Sequence, residues 1–166
     1  MRYLPAAVVL LMGAGAPAAG QTAPADSVLD RLVGHWHMAG TVEGEKSEAH
    51  LAADRVLNGK FVRLHWTDLG EPSQYEAMVF LGVDSATSKV VAHWIDVFGP
   101  GPSATLGHGT AAGHRLVLDF AYPDAPFRDT FTFDPATGRW RFLLETGDGK
   151  GGWTTFADYE VRRAGQ

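Results

Sequence analysis

Apolar and polar residues alternate along most of this chain with a period of two. From Gly34 onward, Trp36, Met38 and Val42 share one phase, and His35, His37 and Thr41 share the other. The same alternation runs through Leu51, Ala53 and Leu57, through Val62, Leu64 and Trp66, and through Tyr75, Ala77, Val79 and Leu81. It continues in Leu116, Leu118 and Phe120, in Phe127, Asp129, Phe131 and Phe133, and in Trp140, Phe142 and Leu144. Trp153, Ala157, Tyr159 and Val161 make a last segment. Successive side chains of a strand point to opposite faces, so each segment predicts a half-buried strand. Asn58-Gly59 predicts a two-residue hairpin turn, since both residues tolerate positive φ. Asp84–Lys89 and Asp134–Arg139 read as hairpin loops, each opened by an Asp able to cap its own turn. About ten short strands, with turn signals every 8–12 residues, predict an all-β fold with a single antiparallel up-and-down (meander) barrel. One short helix is expected, Asp26 to Val33, with Asp26 as N-cap and an apolar stripe of Val28, Leu29, Leu32 and Val33. No long helix interrupts the strands, which argues against a parallel crossover fold. The Gly- and Pro-rich stretch Phe98 to Gly109 predicts a loop over the barrel mouth.

The N-terminus breaks this pattern. Arg2, the apolar run Ala6 to Met12, and Ala18-Ala19-Gly20 before Gln21 predict a secretory signal peptide over 1–20, with a second acceptable cut after Ala25. The barrel domain is then expected over 26–164. The chain has no cysteine. That rules out thiol chemistry, thiolate metal ligation and lipid attachment at a cysteine, and leaves packing as the source of stability. The formal net charge of −5, without a basic cluster beyond Arg162-Arg163, argues against nucleic-acid binding. Nothing suggests membrane insertion, and the mature protein is expected in the periplasm or outside the cell, as monomer or homodimer.

Candidate chemistry concentrates in three His-Trp pairs: His35-Trp36, His65-Trp66 and His93-Trp94. In the first two, the tryptophan shares its face with aliphatic residues. Burial of apolar area at about 25 cal/mol per Å² therefore turns the tryptophans inward and His35, His37 and His65 outward. The third strand does not sort so cleanly. Val91, His93, Ile95 and Val97 share one face, and Ala92, Trp94, Asp96 and Phe98 share the other, so either His93 or Asp96 enters the barrel. A buried polar group needs a partner, and this strand is the expected place for a polar ligand contact. His35-x-His37 has metal-ligand spacing, with His65 or His50 as a third ligand, but the predicted outward direction and Thr41 at the position of an acidic ligand argue against a metal centre. No nucleophile motif is present: there is no Gly-x-Ser-x-Gly, and Ser103 lies in the Gly/Pro loop without an obvious base.

Gly34-His35-Trp36 after a short helix looks like the Gly-x-Trp signature of the lipocalin and wider calycin barrels. Together with Val56-Leu57-Asn58-Gly59-Lys60-Phe61-Val62, Tyr75 to Asp84 and His93-Trp94-Ile95-Asp96, the chain from about residue 28 to 163 resembles a bacterial family of secreted proteins of unknown function with a lipocalin-like barrel. The resemblance implies a closed barrel plugged at one end by the first helix, a ligand site inside, and a late arginine, Arg162 or Arg163, packed on Trp36. Nitrobindin-like relatives, with a similar barrel, bind haem through a histidine near the C-terminus. Here the last histidine is His114, a departure from that route.

The expected function is therefore binding of a small hydrophobic or aromatic molecule, without a cofactor. The candidate contacts are Trp36, Met38, Trp66, Tyr75, His93, Trp94, Asp96, Trp140 and Phe142. One alternative is a barrel enzyme using Asp96 or His93 as acid/base, although catalysis is the less expected outcome. Another is a metal or haem binder through His35, His37 and His65.

Overall fold

The computed structural model describes residues 24–165; the expected signal peptide and its first cut lie outside the described residues. The chain runs α1 (Pro24–Leu32), β1 (Gly34–Val42), β2 (Glu45–Val56), β3 (Phe61–Asp68), β4 (Glu76–Val83), β5 (Val90–Asp96), α2 (Pro100–Ser103), β6 (Leu106–Ala112), β7 (Arg115–Ala121), β8 (Pro126–Asp134), β9 (Arg139–Gly147) and β10 (Trp153–Arg163). Each strand pairs antiparallel with its neighbour in sequence, and β1 pairs with β10 to close the barrel, Trp36 opposite Arg163. The meander follows from the short turns. Asn58 and Gly59 take φ of 56° and 77°, with the Lys60 N–H donating to the Leu57 carbonyl at 3.2 Å, as a primed hairpin turn requires. The two Asp-led turns are built alike. Asp84 accepts from the Ala86 N–H and the Thr87 hydroxyl at 2.9 and 2.7 Å, and Asp134 accepts from Ala136 and Thr137 at 2.9 and 2.8 Å.

The inward faces form one core. Trp36, Met38, Leu51, Leu64, Leu81, Leu116, Phe131, Trp140 and Phe142 are among its buried residues. On the outer wall, Arg63–Asp54, Arg128–Asp119, Arg139–Glu160 and Arg141–Asp158 form cross-strand ion pairs. α1 seals one end with Val28, Leu29 and Leu32 buried. Asp30 on α1 binds Arg55 at 2.6 Å, and Arg31 donates to the Gly113 carbonyl at 2.7 Å. The Trp36 indole N–H donates to the Leu32 carbonyl at 2.7 Å, and the Arg163 guanidinium lies 4.0 Å over its ring. Arg163 also donates to the Val33 carbonyl at 3.1 Å. Gly34, at φ 139°, holds a backbone conformation that strains any L side chain, and a Cβ there would also displace the Arg163 guanidinium. Gly34-x-Trp36 thus works as one closure with Arg163, which settles the choice between the two late arginines.

Several local expectations are corrected. The helix begins before Asp26, which sits in its first turn rather than capping it. Leu57 is exposed in the hairpin turn. The stretch Phe98 to Gly109 is not all loop, because α2 lies within it and β6 starts at Leu106. Trp153 does not share the face of Ala157, Tyr159 and Val161: the β9–β10 register shifts between Thr155 and Ala157. The extra residue, Phe156, reverses the phase before it. Trp153 consequently packs on the outside against the Arg128 guanidinium, 4.1 Å away. Among the described residues no helix is long and apolar enough to cross a membrane.

Candidate functional site

A ten-stranded barrel is wider than its own side chains need to fill, and the end opposite α1 is hollow. A cavity of about 820 Å³ opens there. Its rim comes from the turns at that end: Glu43 after β1, Gln74 and Tyr75 before β4, Phe98, Gly101 and Pro102 after β5, and Tyr122 to Asp124 between β7 and β8. Its wall is aromatic, formed by Trp66, Trp94, Phe120, Phe127, Phe156 and Tyr159. Trp66 packs tilted on Trp94 at 6.0 Å and edge-on to Tyr159 at 5.3 Å, while Phe120 stacks on Tyr122 at 5.6 Å. The bulge in β10 points Phe156 and Ala157 together at the hollow.

Polar groups enter this wall at few points. The Tyr75 hydroxyl accepts from the Trp94 indole N–H at 3.0 Å and feels the charge of Asp96. Burial pushes the Tyr75 phenol upward, assisted by Asp96 and Asp129. Burial raises Tyr122 to about 12, and the same two carboxyls add to the effect. Asp96 is raised by burial, opposed by the Phe98 N–H and Tyr75. Tyr159 donates to the Ser47 hydroxyl at 2.8 Å. At the rim, burial works against ionisation of Asp68, but the Ser73 hydroxyl and the Gln74 and Tyr75 N–H groups hold its carboxyl below the usual range.

The residue that stands out is Asp129. It faces inward from β8 between Leu118 of β7 and Leu144 of β9. Its relative exposure is 1%, and its Oδ1 has no hydrogen-bond partner. Burial, with a smaller contribution from Asp119 across the wall, lifts its carboxyl to about 8. A buried, unpartnered carboxyl costs on the order of a few kcal/mol of stability. The alternation Phe127-x-Asp129-x-Phe131 put a carboxyl on an apolar face, and that was the available signal in the sequence.

The other candidates separate by depth. Trp66, Tyr75, Trp94 and Asp96 line the cavity. Trp36, Met38, Trp140 and Phe142 are buried in the core and do not line it. The Trp94 face of β5 is the inward one, so His93 is exposed on the outside. There it donates from Nε2 to the Ser103 carbonyl at 3.0 Å and tethers α2, whose Gly101 and Pro102 form part of the rim. Of the histidines on the other two paired strands, His37 pairs with Glu48 at 3.1 Å and His65 with Glu76 at 2.6 Å. His35 is exposed, and no group of three or more His, Asp or Glu suited to a metal ion gathers among the described residues.

The sequence belongs to a known family. A family of proteins of unknown function, DUF1579, matches residues 21–163, and the chain is a member of it. No match was found among curated proteins.

Proposed function

We propose that this chain is an exported lipocalin-like barrel that binds a small hydrophobic or aromatic molecule in the hollow end opposite α1. One observation carries the reading: a cavity of about 820 Å³, walled by aromatic rings, at the end of the barrel opposite α1. Small-molecule pockets fall at roughly 300–1,000 Å³ and join apolar walls to a few placed polar groups. Trp66, Trp94, Phe120 and Phe156 supply apolar surface, and Tyr75, Asp96 and Asp129 supply the polar points. Export rests on the N-terminal leader pattern in the sequence.

The test is displacement of an environment-sensitive dye by a panel of apolar and aromatic compounds, read alongside quenching of Trp66 and Trp94. Ala157→Trp, which fills the hollow from a wall position, is expected to abolish dye binding with the fold retained by circular dichroism. Equal dye binding by parent and Ala157→Trp sinks the reading.

A second reading, an acid/base enzyme in the same cavity, is favoured by one observation. The Asp129 carboxyl at about 8 is placed to exchange a proton near neutral pH. His93 faces away from the cavity. Loss of a turnover in Asp129→Asn with ligand affinity kept would support this reading; turnover unchanged in that variant would end it.

A further inference from the structure

The charges around the cavity are of one sign. Five carboxyl residues line it, Glu43, Asp68, Asp96, Asp124 and Asp129, and no Lys, Arg or His is among the described lining residues. The outer wall of the same barrel is arranged differently: its carboxylates Asp54, Asp119, Asp158 and Glu160 each meet an arginine. None of the five at the cavity takes part in an ion pair among the described residues. The sequence thus supplies countercharges outside and withholds them inside.

We propose that the molecule taken up by this barrel carries a positive charge: an apolar or aromatic amine whose ammonium sits near Asp96 and Asp129 under the rings of Tyr75 and Tyr122. This rests on the reading that the cavity binds a ligand, and it narrows that ligand's class.

Three physical terms point the same way. The rim carboxylates draw cations toward the mouth, and low-dielectric walls concentrate their field. Aromatic faces carry negative quadrupoles, so the rings around the hollow attract an ammonium where they would only tolerate a neutral group. Asp129 is the independent pointer. It is fully buried, faces the hollow from β8 and leaves Oδ1 without a partner inside the protein. A cationic N–H donor satisfies that oxygen. An anionic head group, as on a fatty acid, would enter among carboxyls with no basic side chain to meet it, at a desolvation cost nothing in the cavity offsets.

The experiment holds the apolar body constant and varies the head. Calorimetric titration of the full mature chain uses 1-naphthylmethylamine, 1-naphthylmethanol and 1-naphthoate at neutral pH and low salt. The amine is expected to bind at least about tenfold more tightly than the alcohol, a difference of about 1.4 kcal/mol. The carboxylate is expected to bind weakest, and the amine's advantage to shrink as salt is raised. In the Asp96→Asn/Asp129→Asn variant the amine's advantage over the alcohol is expected to vanish, with the circular-dichroism spectrum and thermal transition of a folded barrel kept. That last arm separates charge recognition from damage to the fold. Equal or tighter binding of the alcohol or the carboxylate by the parent overturns the charge inference and leaves the binding site standing. Binding of none of the three overturns both.

Discussion

Replacing Asp129 by asparagine removes a carboxyl buried in the apolar wall of the barrel, and its consequence depends on pH in a calculable way. In the folded chain burial lifts this carboxyl to about 8, from an ordinary value of 3.8. The folded state therefore holds a proton that the unfolded chain gives up. Below about pH 4 both states are protonated and the group is neutral in its effect on stability. As pH rises from there towards about 8, the unfolded chain ionises first and gains free energy the barrel does not share. Each pH unit costs about 1.4 kcal/mol of stability, so about 4 kcal/mol is lost between about pH 5 and pH 8. Water entering the open cavity solvates part of the carboxylate, which places the observable difference at about 2–4 kcal/mol. Asparagine is close in shape and does not titrate. Urea unfolding followed by tryptophan fluorescence, at pH steps across that window, should show the two proteins nearly equal at the acid end and Asp129→Asn the more stable by about 2–4 kcal/mol at the basic end. The difference between the curves isolates residue 129, because every other group titrates in both proteins. A gap that stays constant with pH, or one that closes as pH rises, refutes the assignment of Asp129 as a buried, proton-holding carboxyl.

Two further predictions concern the barrel's closure and its wall. Gly34→Ala forces a Cβ onto the Arg163 guanidinium at a φ of 139° and is expected to destabilise by about 2–3 kcal/mol. Arg163→Ala alone should cost about 1–2 kcal/mol by losing the contact over Trp36 and the bond to the Val33 carbonyl. A thermodynamic double-mutant cycle by urea unfolding is expected to show the pair less destabilised than the sum, since removing Arg163 relieves the overlap; strict additivity would contradict this geometry. Tyr75→Phe strips the Trp94 indole N–H of its acceptor and should lower stability by about 1–3 kcal/mol with an altered tryptophan emission. A variant with parent stability and an unchanged spectrum would show that the bond is not formed.

The places where alternation served and failed as a guide have separate physical causes. Strand β1 carries its large apolar residues on one face only, and β3, β7 and β9 carry most of theirs on one, so period two is visible and the inward set, Trp36 to Leu144, follows from it, while β4 adds Met78 and Phe80 on its outer face. Strand β6 offers no such signal, because its inward positions are Gly107, Gly109 and Ala111. The first two are small because the space is already taken. A Cβ on Gly107 would strike the Phe120 ring, and one on Gly109 the Val117 carbonyl. Such a strand is defined by what its neighbour β7 places over it, and its own residues read as a Gly-rich loop. The phase error at Trp153 is of another kind. A bulge shifts register by one residue and exchanges the faces on either side of it, and local sequence around Phe156 gives no warning of that.

The site itself was legible only in part, and the reason is depth along the strand. Alternation states which face a residue occupies but not how far along the barrel it lies. Trp36 and Trp66 are equivalent in phase, yet Trp36 packs under α1 at the sealed end and Trp66 lines the hollow. Depth is set by register across the whole sheet and by which end the helix closes. Both follow from long-range pairing, Trp36 opposite Arg163 above all. The same argument explains why Asp96 and Asp129 line one cavity although they lie on strands that are not neighbours. Strands β5 and β8 run in opposite directions in the meander, so the end of one and the first half of the other lie toward the same end of the barrel, and both carboxyls act on Tyr75 and Tyr122. A residue such as Asp129 is therefore detectable in sequence as a violation of the apolar face. Its role becomes arguable only when the barrel is closed and the violation proves to face a cavity.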